Sequence, residues 1–263
     1  MDAAREHEAA EQADEADKAR LDRERVGTSG LSPRAGLHRR PGFRDHRETM
    51  VARVRREQSA GEEIANALSH GVGFVVSLIA APLLVIRVAG EQQAVRTVGV
   101  SVFAASIVLL YLASTLYHAM PQGSAKHVFR VVEHSGIYIV IAGTYTPFTL
   151  GVLRGGWGWA LLAIVWALAA AGIAFKVFGG LKYPAISMAL YLGMGWLIVV
   201  AAHAVWTRVP AGGIAWLVGG GLAYTIGAAF YMAKQLRFGH LVWHVFVLAG
   251  TTCHYFAVMW YAA

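Results

Sequence analysis

Two histidines four residues apart, His240 and His244 in the segment GHLVWHVFVLAG, interrupt an otherwise apolar run. On a helix their imidazoles leave one face, with Cβ atoms roughly 5–6 Å apart. Two side chains at that spacing can share one metal ion. His118, at the end of another apolar run, is the third candidate ligand. Three nitrogen ligands leave zinc's fourth tetrahedral position open to water, the pattern of catalytic rather than structural sites. Zn2+ is the cofactor expected at such a site, with another nitrogen-preferring divalent ion left open by the spacing. Glu133, the carboxylate of a third run, is placed to accept a proton beside such a site. Ser114 lies one turn before His118 and can donate a hydrogen bond to substrate or ligand.

Each residue also has a reading without chemistry. The His240/His244 pair can be a hydrogen-bonded packing pair, and Glu133 can pair with Arg130, three residues away on its own helical face. Ser114 can bond back to the carbonyl of Leu110. Asn66 and His70 open a fourth apolar run and either support the site or pack beside it. His254 stands ten residues beyond His244, roughly 15 Å along a helix, too far to share the ion. His203 reads as an interfacial residue at the opposite end. His127 and His134 flank the site unassigned, with His134 pointing away from its neighbour Glu133.

The elements that must hold these groups follow from composition. Residues Met1–Ala60 carry 13 Lys/Arg and 12 Asp/Glu and almost no aromatics, too little apolar surface to offset ordering, so 1–60 reads as a disordered cytoplasmic tail. From Ile64 onward only Glu91 and Glu133 are acidic. A soluble domain of that length needs far more surface charge. The apolar runs recur at membrane-span length and do not alternate as barrel strands do. The fold class expected for 61–263 is all-α, a seven-transmembrane helix bundle. Its spans lie near Ala65–Ala89, Val95–His118, Val128–Leu150, Trp157–Phe178, Pro184–Trp206, Ile214–Met232 and His240–Tyr261. Gly193 and Gly195 in span five and Gly219, Gly220, Gly221 and Gly227 in span six are expected to allow close helix approach.

Lys and Arg near span ends set orientation. With the N-terminus cytoplasmic, ten flank the inner ends (Arg47, Arg53, Arg55, Arg56, Lys126, Arg130, Lys176, Lys182, Lys234, Arg237) against four at the outer ends. The C-terminus then lies outside. His118, Glu133, His240, His244, Asn66 and His70 all fall in one layer of the inner leaflet. The net charge of +7 is thus a topology signal and not a nucleic-acid one. The lone cysteine, Cys253, excludes an intrachain disulfide. A retinal protein is disfavoured because span seven has no lysine for a Schiff base.

EEIANALSHGVGF (62–74), STLYH (114–118), VEHSGIYIVIAGTYTPF (132–148) and HLVWH running into HVFVLAG (240–250) together resemble the bacterial hemolysin III proteins. These belong with the progestin and adipoQ receptors, adiponectin receptors included, and more distantly with alkaline ceramidases. The resemblance implies seven helices, a cytoplasmic N-terminus, and zinc on His118, His240 and His244 beside an acidic residue and a serine. The family usually has aspartate where this chain has Glu133.

The function expected is a zinc-dependent intramembrane hydrolase of a lipid amide or ester, in the plasma (inner) membrane, with membrane lipid as substrate or ligand. The alternative is a zinc-containing receptor or sensor of membrane state without turnover. A pore-forming cytolysin would show polar stripes along whole helices, and these spans are apolar beyond the inner layer.

Overall fold

A computed structural model describes residues 58–89 and 94–262. Most of the charged segment 1–60 lies outside them. The regular structure of the described residues is all helical, with no strand: α1 (Ala60–Ala89), α2 (Ala94–Ala119), α3 (Ser124–Leu150), α4 (Gly156–Val177), α5 (Pro184–Gly195), α6 (Ala202–Arg208), α7 (Ala211–Met232) and α8 (Gly239–Tyr261).

α1 shows why this is a membrane fold. Its buried face carries Glu62, Asn66, His70, Gly73 and Ser77 at helical spacing. The opposite stripe of Ile64, Leu68, Val72, Ile79, Leu83 and Ile86 is more than half exposed. A helix on a soluble core has this polarity reversed. Apolar faces of this extent are stable only against lipid or another protein. Six helices among the described residues are long and apolar enough to cross a membrane, counting Pro184–Arg208 as one.

α3 is not one of the six, although it spans 27 residues. Its low hydropathy has a packing cause: 15 of those residues are buried, and they include Glu133, His134, Ser135, Thr144, Thr146 and Thr149. A helix enclosed by protein has no lipid to satisfy. α1 packs on α2 and α8, α2 on α3, α3 on α4, and α7 on α8, whereas α5 touches its neighbours only sparsely.

The expected span Pro184–Trp206 corresponds to the apolar stretch Pro184–Arg208, which is not one unbroken α-helix. Its middle unwinds into a 3-10 segment, Trp196–Ala201, between α5 and α6. Backbone groups freed in a membrane must find partners, and Tyr145 of α3 supplies one. Its hydroxyl donates toward the carbonyls of Met194 and Gly195 at 2.9 Å and accepts from Ile198 N–H at 2.8 Å. Nor do Gly193 and Gly195 bring helices together, since a Cβ on either would meet nothing within 4 Å. Close approach occurs instead at Gly227, where a Cβ would lie 2.6 Å from Phe246 Cβ and 2.9 Å from Trp243.

Candidate metal centre

The site is assembled at the N-terminal ends of α1, α3 and α8 and the C-terminal end of α2. α1 opens with a capping box: Ser59 N–H donates to Glu62 Oε2 at 3.0 Å, three residues on. Glu62 Oε1 also accepts the N–H of Phe238 at 2.8 Å. Phe238 precedes α8 in a left-handed conformation, φ 57, which costs a non-glycine residue about 1–2 kcal/mol. The bond ties the start of α8 to the start of α1 and so sets the height of His240. α2 is finished by Lys126 of α3, whose Nζ donates to the carbonyls of Tyr117 and Met120 at 3.2 and 3.1 Å. That fixes the turn carrying His118.

His118, Glu133, His240 and His244 meet as one cluster, each offering a ligand atom within 4.8 Å of the others, and could hold a metal ion. The hydrogen bonds show which nitrogens are available. The hydroxyl hydrogen of Ser69 goes to the carbonyl of Asn66 at 2.8 Å. The 2.9 Å contact of His244 Nδ1 with Ser69 Oγ must then be donated by the histidine. His244 Nε2 is left as a lone pair, buried and without a partner. His118 likewise donates through Nδ1 to Glu63 Oε2 at 2.7 Å, which turns its Nε2 lone pair to 3.2 Å from His240 Nε2 and 3.6 Å from Glu133 Oε1. Two nitrogens on one tetrahedral zinc lie about 3.3 Å apart for bonds of roughly 2.0–2.1 Å. The residues present fit a bound metal.

Ser114, wholly buried, donates to Glu133 Oε1 at 2.7 Å and not to Leu110. Its single hydrogen so used, His70 must donate through Nδ1 to Ser114 Oγ at 2.7 Å. His70, Ser114 and Glu133 therefore form a continuous hydrogen-bonded chain. The His70 ring also stacks on His244, centroids 3.6 Å apart and planes within 6°. Asn66 bonds Gln58 through Nδ2 at 2.8 Å.

Glu133 contacts Ser114, His118 and His134; its expected alternative partner, Arg130, is not among its ion pairs. His134 does not point away from Glu133. Its Nδ1 lies 3.1 Å from Oε2, because the two flexible carbons of glutamate carry the carboxylate round to the next residue's side. His203 is exposed near the end of the broken span, and His254 is held by the carbonyl of Leu217 at 3.3 Å.

Three residues escaped the sequence reasoning: Glu63, Ser69 and Lys126. Glu63 had a usable signal, since 63, 66 and 70 share one helical face at i, i+3 and i+7. It also pairs with Lys126 Nζ at 3.0 Å, so one carboxylate joins the His118 ring to the α2 cap. Partners that orient a metal-ligating histidine are typically worth about 10–100-fold in affinity. Glu63→Gln is expected to weaken metal binding by that factor in competition with a chromophoric chelator. Unchanged affinity would show that Glu63 does not orient His118.

Glu133 and His70 also line a cavity of about 190 Å³. Its remaining walls are nearly all apolar, among them Ile137, Ile198, Leu217, Trp243 and Val247. It occupies the loose seam around α5. The cluster thus sits at one end of an apolar chamber inside the bundle.

The haemolysin-III-related family profile matches residues 58–255. The chain is 42% identical over 208 residues to Hemolysin-3 of Bacillus cereus, covering 79% of this chain and 95% of that one. To a Hemolysin-3 homolog of Bacillus subtilis it is 42% identical over 200 residues, 76% and 94% of the two chains. It is also similar to the human monocyte to macrophage differentiation factor, 26% identical over 232 residues, 83% of this chain and 91% of that one.

Proposed function

The chain belongs to the haemolysin-III-related family of membrane proteins, and from that premise we propose that it is a zinc-dependent intramembrane hydrolase acting on a lipid amide or ester. The observation that carries this reading is the convergence of histidine Nε2 atoms beside a buried carboxylate, at the end of an apolar cavity. In this reading α3 is the seventh span. Its 27 residues reach about 40 Å at 1.5 Å each, enough for a bilayer. In this reading the N-terminus is cytoplasmic, the C-terminus lies outside and the cluster belongs to the inner leaflet of the plasma membrane, an orientation that the charge asymmetry supports.

His118, His240 and His244 would hold the ion. A set of three imidazoles suits zinc among the divalent metals, with Glu133 nearby as a hard oxygen donor. Zinc so bound would supply Lewis acidity, polarising a carbonyl and lowering the pKa of water from about 15.7 to about 7. Glu133 takes the proton given up by water and returns it to the departing amine or alcohol. Ser114 holds Oε1 of that carboxylate, and His70 extends the chain along which the proton charge is shared. The cavity receives the acyl tail and keeps bulk water from the carboxylate.

One observation favours a second reading. Glu133 Oε1 lies within ligand range of the cluster; were it a fourth ligand, the site would be closed, as structural zinc sites are. The protein would then be a receptor or sensor without turnover.

The deciding experiment offers ceramide and a diacyl ester to the purified protein and follows fatty-acid release. Release abolished by a chelator and restored by zinc is the expected result. Absence of release from both classes by fully zinc-loaded protein would leave the sensor reading.

A further inference from the structure

Arg130, Lys176 and Lys234, which count in sequence only as charges flanking the inner ends of three spans, share one pocket in the fold. It has a volume of about 130 Å³ and is also lined by His134 and Tyr231. The end of α4, the start of α3 and the residues after α7 build it, so it opens at the end of the bundle that carries the histidine cluster. No carboxylate lines it among the described residues. Glu133 lies outside the lining, its Oε2 3.1 Å from Nδ1 of the lining His134.

Lys234 is exposed and Arg130 half-buried, but Lys176 is no solvated flank residue. Lys176 is 2% exposed. Its Nζ donates to the Ser187 hydroxyl and faces the rings of Tyr191 and Phe175 at 5.7 and 5.9 Å, all of them neutral. Arg130 Nε is buried with no hydrogen-bond partner. His134 is 7% exposed, with Nε2 3.3 Å from the Tyr231 hydroxyl. A buried ammonium and an unsatisfied guanidinium nitrogen without a counter-ion are costly, and such groups in membrane proteins mark binding sites by default. Guanidinium and ammonium donors arriving from different helices suit the several oxygens of a phosphate. Basic pockets between helix ends are where anionic lipid headgroups bind.

We infer that this pocket binds a phosphate group, the headgroup phosphate of an anionic phospholipid, with Arg130 and Lys176 as its principal donors. The site stands apart from the hydrolase reading, because phosphate binding requires neither metal nor turnover.

The test equilibrates the full-length protein in mixed micelles with phosphatidylglycerol or with the matching diacylglycerol, which lacks only the phosphate-bearing head. After repurification, retained lipid per chain is measured by mass spectrometry. About one phosphatidylglycerol and little diacylglycerol should remain. Arg130→Gln and Lys176→Met should each lower retention at least about tenfold, while Lys182→Gln, on the adjoining turn and outside the pocket, should not. Lys176→Met replaces a buried charge by an apolar chain of similar length, a change that buried sites often tolerate. Arg130→Gln is the second line if it does not. Inorganic phosphate that raises the Tm of lipid-stripped protein, but not of Arg130→Gln, would uphold the pocket with a soluble source. Equal retention of the two lipids without any phosphate effect would overturn the inference. So would loss in Lys182→Gln as large as in the pocket variants. Metal content measured on the same samples distinguishes failure of the phosphate pocket from failure of the histidine cluster.

Discussion

Protein purified without chelators should carry about one zinc per chain, and His118→Ala should carry almost none. The double variant His240→Ala, His244→Ala should behave in the same way. Removing any one of three nitrogen donors must cost more than the about 10–100-fold attached to an orienting partner. Elemental analysis of the three proteins decides the matter. Stability should follow, because a ligand that binds only the folded state adds RT ln(1 + [L]/Kd), about 4.1 kcal/mol at 1,000 times Kd. Chelation should therefore lower the Tm of the unmutated protein and leave the variants unmoved. The unliganded cluster would retain His244 Nε2 as a buried lone pair with no donor, a cost the ion removes. A metal-free unmutated protein, with the same Tm in chelator, would sink the metal site and the hydrolase reading with it. The histidine layer would then be a hydrogen-bonded polar core.

The convergence of these four side chains was legible in the sequence because helical spacing and span direction are one-dimensional facts. The four-residue spacing of His240 and His244 determines a shared face, and alternating span direction puts the end of α2 level with the starts of α3 and α8. Which nitrogen of each ring is free was not legible. That depends on Ser69 and Glu63, residues of α1 whose contacts cross to other helices at sequence separations of 175 and 55. Lys126, Lys176 and Arg130 were misleading for a different reason. A cation at a span end reports topology whether it faces water or protein, so the charge rule gave the same answer for Lys176, which is buried, and Lys182, which is not. Hydropathy also ranks α3 lowest of the long helices for the reason that makes it central: its neighbours are protein. The unwound stretch after Gly195 depends on Tyr145, about 50 residues earlier in the chain, and no local pattern carries it.

Glu133→Gln separates chemistry from ligation. The amide keeps the shape of the side chain and an oxygen able to accept from Ser114, but it cannot take up a proton at neutral pH. If Glu133 is the general base, the variant retains about one zinc per chain while fatty-acid release falls about 10²–10⁴-fold. If the carboxylate is instead a fourth ligand, metal affinity drops in the same variant, because a neutral amide oxygen is a far poorer donor to zinc. The two outcomes are read on one sample by elemental analysis and by the lipid assay. Activity within about threefold of the unmutated protein would remove Glu133 from the mechanism altogether, since a displaced proton acceptor cannot cost so little. Glu133→Asp refines the result. It keeps the charge and withdraws the carboxylate by one methylene, away from His134 and Ser114, with which it now makes contacts of 3.1 and 2.7 Å. Aspartate is the residue the resembling family usually carries here, so retained metal with recovered turnover would mean that position along the helix, rather than arm length, sets the proton acceptor. Retained metal with turnover lost in Glu133→Asp as well would mean that the neighbours of this chain, His134 first among them, have been built around the longer side chain.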